Sequence, residues 1–110
     1  MSKLDEKIEA YKAEAKKLGI ELDDKLIEET TKALVPAIYN ADAEVVSCTD
    51  QSELDRVRES FLKKKLGLKE SDEVLDKLIK EVCEEMGSSN RKKYRAIFYS
   101  ILKKKLDKVA

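Results

Sequence analysis

The stretch Ser71-Asp72-Glu73-Val74-Leu75-Asp76-Lys77-Leu78-Ile79-Lys80-Glu81-Val82-Cys83-Glu84-Glu85-Met86-Gly87 decides the fold class. Val74, Leu75, Leu78, Ile79, Val82, Cys83 and Met86 recur at steps of three and four, the spacing of one helix face. Ser71 is a capping residue, Asp72 and Glu73 suit the positive helix N-terminus, and Gly87 suits a left-handed stop. The same grammar repeats outward in both directions.

Toward the N-terminus, Asp50 opens a helix with Glu53 three residues on, and Gly67 closes it. Leu54, Val57, Phe61, Leu62 and Leu66 are its expected buried face. Residues 2–18 form another helix, with Leu4, Ile8, Tyr11, Ala15 and Leu18 on one side and Gly19 after it. Asp23 or Asp24 caps the next, which ends near Leu34 because Pro36 cannot continue it. Pro36 to Tyr39 read as a short turn, and Asn40 or Asp42 as the cap of a short helix through Val46. Cys48 and Thr49 fall in a loop. Toward the C-terminus, a last helix is expected over about 89–108, with Tyr94, Ile97, Phe98, Ile101, Leu102 and Leu106 apolar. No segment alternates with period two. The expectation is one all-α domain over residues 1–110, a compact bundle of four long helices and one or two short ones.

Composition narrows the chemistry. Histidine is absent from the 110 residues, which excludes histidine triads and histidine-based zinc sites. The two cysteines have no metal spacing. Cys83 lies in an apolar stripe and reads as a small buried hydrophobe; nothing asks for a disulfide, which fits a reducing cytoplasm. There is no apolar leader and no run of about 18 apolar residues, so no membrane association is expected. Asp23-Asp24, Glu28-Glu29 and Glu84-Glu85 are adjacent on helices, point about 100° apart and read as solvated faces rather than acid–base pairs. With no phosphate loop, nucleophile elbow or calcium loop, no catalysis, metal or cofactor is expected.

Charge is balanced in total but not in place. Residues 1–60 carry 9 basic and 15 acidic side chains, and residues 88–110 carry 8 and 1. Lys63-Lys64-Lys65 and Lys103-Lys104-Lys105 lie near helix ends that favour cations. Arg91-Lys92-Lys93 do not: they fall at the expected start of the last helix, behind Gly87-Ser88-Ser89-Asn90. Two explanations stand. A bound anion, a phosphate group or a nucleic-acid backbone, would use Ser88, Ser89, Asn90, Arg91 and Lys92, with Arg95, Tyr99 and Lys103 continuing the face. Alternatively the acidic half of the chain, Glu9 and Glu14 for instance, packs against this start. A protein partner or a homodimer on an exposed helical face is the competing function.

The run Glu85-Met86-Gly87-Ser88-Ser89-Asn90-Arg91-Lys92-Lys93-Tyr94-Arg95-Ala96-Ile97-Phe98-Tyr99 resembles the C-terminal signature of a small bacterial family, domain of unknown function 2853. Ile38-Tyr39-Asn40-Ala41-Asp42 and Phe61-Leu62-Lys63-Lys64-Lys65-Leu66-Gly67-Leu68 are similar to that family as well. The resemblance implies a short soluble bacterial protein. It brings no activity and no site residue.

Overall fold

The computed structural model describes residues 2–87, 90 and 92–109, the last three by backbone alone. In chain order it places α1 (Lys3–Lys17), α2 (Asp24–Ala33), a 3₁₀ turn (Ala37–Tyr39), α3 (Ala41–Glu44), α4 (Gln51–Arg56), a π-helical segment (Val57–Lys65), α5 (Asp72–Glu85) and α6 (Arg95–Val109). There is no strand among the described residues, only one isolated antiparallel bridge, between Val45 and Tyr94. The all-α expectation holds. Among the described residues, no helix is long and apolar enough to cross a membrane.

The expected caps are in place. Ser2 Oγ accepts from the Asp5 N–H at 3.1 Å, Asp23 from Lys25 at 3.0 Å, Asn40 from Asp42 at 2.9 Å and Asp50 from Ser52 at 3.1 Å. Each satisfies an N–H group that the helix start would otherwise leave unpaired. Gly87 closes α5 with φ +95°, a conformation that L side chains rarely adopt. α3 is shorter than expected and ends at Glu44, because Val45 and Val46 turn extended to pair with the chain at Lys93 and Tyr94. Val57–Lys65 continues α4 with wider winding, so that Leu66 N–H donates to the Phe61 carbonyl at 2.9 Å.

α6 is the central helix. It packs on α1, α2, α3 and α5, and Ala96, Ile97, Phe98, Tyr99, Ser100, Ile101 and Leu102 are all buried. The sequence suggested one apolar face; the structure wraps the helix instead, which is how a helix behaves at the centre of a fold. The buried Ser100 Oγ donates back to the Ala96 carbonyl at 2.7 Å, so it needs no external partner. Around this centre stand Ile27 of α2, Val57, Phe61 and Leu62 of the π segment, and Leu75, Ile79 and Val82 of α5. Val74, placed by periodicity on the buried face of α5, is exposed.

Carboxylates clip the periphery. Arg58 reaches Asp76 on α5 at 2.9 Å and Asp55 at 3.2 Å, and Lys105 of α6 reaches Glu85 at 3.0 Å. Glu28, one of the adjacent acidic pairs, accepts from Lys12 at 2.9 Å. The Tyr11 hydroxyl, on the buried face of α1, donates to Glu44 at 2.6 Å, and Lys7 reaches the same oxygen at 2.7 Å.

Burial and the neighbouring Glu44 carboxylate push the Tyr11 phenol well above its ordinary 10.0. A raised value in the folded state favours the protonated form there. The stability this gives is complete below the ordinary tyrosine value and is lost as pH rises above about 10. Tyr11→Phe is expected to cost about 2 kcal/mol at neutral pH, the scale of a hydrogen bond to a charged group. It is also expected to shrink the alkaline loss of stability. Urea unfolding of both proteins between neutral pH and alkaline pH measures each effect.

Candidate anion-binding groove beside the last helix

The last helix begins at Arg95, not near residue 89 as the sequence suggested. The reason lies in Asn90. Its side-chain amide donates to the Met86 carbonyl at 3.1 Å, and its Oδ1 accepts from the Lys92 N–H at 2.9 Å. This side chain takes the place of helical hydrogen bonds and sends the chain out extended. Lys92 and Lys93 therefore precede the helix rather than occupying its first turn. Val46 N–H donates to the Lys93 carbonyl at 2.8 Å, which fixes the extended segment against Val45 and Val46.

The residues proposed from sequence do not share one exposed face. Ser88, Ser89 and Arg91 lie outside the described residues. Lys92 is exposed. Arg95 is turned into the protein: its guanidinium donates to the Ala43 carbonyl at 2.7 Å, the Tyr99 hydroxyl at 2.9 Å and the Val45 carbonyl at 3.4 Å, and it pairs with Glu53. The side chains of Arg95 and Glu53 are each 13% exposed. Tyr99 is buried, stacked on Phe61 with ring centroids 3.8 Å apart, and burial holds its phenol above the ordinary value. Lys103 donates to Thr30 Oγ1 at 3.2 Å. The basic stripe of Lys92, Arg95, Tyr99 and Lys103 is thus dismantled: one member faces solvent and the others are fold contacts.

The acidic half of the chain does neutralise part of the basic segment, through a different residue than expected. Glu53 on α4 takes Arg95; Glu9 pairs instead with Lys12 at 3.6 Å. Nothing local in the sequence joins Glu53 to Arg95.

A groove of about 1050 Å³ opens beside this network. One wall is the segment Val45 to Thr49 with Gln51 and Leu54 of α4. The other is α5, through Asp76, Ile79, Lys80, Cys83 and Glu84. Asn90 and Lys93 close one part of the lining.

Two features of this groove were not expected. Cys48 and Cys83 are joined in a disulfide, with Cα atoms 6.1 Å apart, and both line the groove. Cys83 is buried as periodicity implied, but as half of a cross-link rather than as a free thiol. Two cysteines 35 residues apart give no sequence signal of their own, because only the fold brings the loop onto α5. The cysteines therefore no longer argue for a reducing compartment.

Lys93 is the second feature. It is 6% exposed, yet no carboxylate lies within ion-pair distance of it among the described residues. Its Nζ donates to the Asn90 carbonyl, which leaves two of an ammonium's three donors over. Burial pulls its amine below the ordinary lysine value of 10.5. Among the described residues no group of three metal-ligating side chains is assembled.

The Arg95 network is directly testable. Arg95→Met leaves Glu53 buried without its partner and is expected to cost about 3–5 kcal/mol in urea unfolding. Adding Glu53→Gln should recover part of that loss, so that the double variant is less damaged than the sum of the singles. Arg95→Lys should be closer to the Met variant than to wild type, because an ammonium cannot reproduce the fork that holds four acceptors.

Comparison with known proteins places this architecture in a family without pointing to an activity. A family model described as "Protein of unknown function (DUF2853)" matches residues 10–110. No curated protein matches the chain. The matched span takes in every element from the middle of α1 to the end of α6, including both cysteines, Glu53, Lys93 and Arg95; the chain belongs to the DUF2853 family.

Proposed function

We propose that this protein binds a small organic anion, a carboxylate or a phosphate ester, in the groove between the Val45–Thr49 segment and α5. The observation that supports the reading is Lys93. A buried ammonium without a counter-charge costs free energy in the folded protein, and folds ordinarily avoid it by pairing the charge or replacing the residue. Two residues on, the same chain does pair its buried cation, with Glu53 on Arg95. An anionic ligand on Lys93 supplies what the described residues do not. Asn90, whose amide fixes the turn, stands beside it on the lining.

The groove also has room and character for more than an inorganic ion. Its volume is at the upper end of small-molecule sites, roughly 300–1000 Å³. Val45, Val46, Leu54 and Ile79 offer apolar surface, and Gln51, Thr49 and Ser47 offer polar groups for the rest of the ligand. Lys92, exposed at the neighbouring position, adds long-range attraction for anions.

The nucleic-acid reading has less support, since Arg95 and Tyr99 are engaged inside the fold. Among the described residues the exposed large apolar side chains are Val35, Tyr39 and Val74. Three such side chains are little material for a homodimer, whose interfaces bury about 800 Å² on each partner.

Amide-shift titration tests the proposal, with inorganic phosphate, acetate and a mixed oligonucleotide as probes at two salt concentrations. Shifts at Asn90, Lys93 and Ser47–Gln51 with the small anions are expected, and their loss in Lys93→Met. That variant should unfold at the same or higher urea concentration than wild type, because the unpaired buried charge is gone. The absence of any shift at these residues with either small anion at low salt overturns the proposal. Oligonucleotide binding with a steep salt dependence and unaffected by Lys93→Met would instead favour backbone recognition through Lys92.

The pH dependence follows from the lowered Lys93 value. The folded protein gives up this proton more readily than the unfolded chain, so stability is expected to rise with pH between the lowered value and 10.5. Anion affinity should fall over the same rise, with its midpoint below 10.5, as the ammonium becomes an amine. Repeating the phosphate titration at increasing pH measures that midpoint.

A further inference from the structure

We propose that the Cys48–Cys83 disulfide is a thiol–disulfide exchange site, open to small anionic thiols through the groove. This deepens the anion reading and rests on it for the preference among thiols, while the exchange itself rests on a separate observation. The cross-link is not sealed in the core. Both sulfur-bearing residues line the open groove, with Cys48 half-buried on its loop and Cys83 buried on α5. A structural cross-link gains nothing from facing a cavity large enough to admit a small molecule, whereas exchange requires such access.

The geometry assigns different parts to the two cysteines. Cys48, the more exposed, is the sulfur an incoming thiolate reaches. A bond forms between the thiolate sulfur and Cys48 Sγ, the Cys48–Cys83 bond breaks, and Cys83 leaves as a thiolate that takes a proton from water. A second small thiolate then attacks the thiol-derived sulfur of the mixed disulfide. It releases the small disulfide and the Cys48 thiolate, which is protonated in turn. Two small thiols are oxidised and the cysteine pair is reduced by two electrons; the reverse sequence restores the cross-link.

Lys93 is the positioning residue. Cys83 sits in the last turn of α5, where the helix dipole disfavours an anion. Lys93, lining the same groove without a carboxylate of its own, opposes that field and attracts a thiol that carries a carboxylate. Lys80 shares the lining with Asp76 and Glu84, the residues four before and four after it on α5.

The test uses two probes of similar size, 3-mercaptopropionate and 2-mercaptoethanol, with rates expressed per thiolate. Oxidised protein is incubated under native conditions, quenched by alkylation and analysed by intact mass, with circular dichroism run alongside. Cys83→Ser is given the small disulfides of the same two thiols instead, so that the Cys48 thiolate attacks one sulfur, releases one small thiolate and keeps the mixed disulfide with no resolving cysteine. Should that variant fold poorly, the count of alkylated thiols in wild type carries the same information. The expected result is exchange with helicity retained, and an advantage for the carboxylate thiol of about three- to tenfold, the scale of one screened charge interaction. Lys93→Met should abolish that advantage, and Lys93→Arg should restore most of it. A disulfide that reacts only in denaturant overturns the proposal, as does exchange without preference for the anionic thiol. Phosphate shifts at Lys93 beside an inert disulfide would sink the exchange and leave anion binding standing.

Discussion

The buried guanidinium of Arg95 is the interaction on which the rest of the structure depends. It sits where three pieces of chain meet: the end of α3, the first turn of α4 and the start of α6. Each supplies acceptors, through the carbonyls of Ala43 and Val45, the Glu53 carboxylate and the Tyr99 hydroxyl. Carbonyls at the end of a four-residue helix have no helical partners of their own, so a donor must come from elsewhere. Arg95 provides it in a planar fork, and Glu53 cancels the charge that this brings indoors. An ammonium would satisfy fewer groups and reach fewer elements.

The groove is a consequence of that junction. Once Arg95 holds Val45, the backbone of Val46 can pair with Lys93, and the Cys48 loop is delivered to α5. The disulfide joins the two walls along the lining, and the Val46–Lys93 hydrogen bond ties the first wall to the segment before α6. The same arrangement forces Lys93 out of any helical turn and into a partly apolar surround. Its burial is thus inherited from the backbone pairing, and its lack of a counter-charge is a separate choice of the sequence.

The helices were legible from local chemistry because caps, glycine stops and apolar periodicity all act within a few residues. Asp23, Asn40, Asp50 and Ser71 cap where they were expected to, and Pro36 marks the end of α2. The start of α6 was not legible for a specific reason. Asn90 is as good a helix cap as it is an Asx turn, and only the pairing of Val46 with Lys93 and of Val45 with Tyr94 decides between them. The partner of Arg95 and the pairing of Cys48 with Cys83 are long-range facts, 42 and 35 residues apart, and no pattern within one element encodes them. Periodicity failed more mildly at α6, where an all-round buried helix was read as one-sided because Tyr99 and Ser100 are formally polar.

The anomaly in the basic segment resolves into two cations with opposite fates. Arg95 and Lys93 are two residues apart, both largely buried, both flanking the same extended-to-helical transition. Arg95 is saturated with acceptors and sits next to a carboxylate, which is how a fold treats a charge that it uses for construction. Lys93 has one carbonyl and an open groove in front of it. A neutral side chain at position 93 would keep the Val46 pairing, since that bond uses only the backbone carbonyl. The ammonium itself serves the fold through one bond, to the Asn90 carbonyl. The donors that this bond leaves over are what the anion-binding proposal rests on, since Lys93 lines the groove and no carboxylate pairs with it among the described residues.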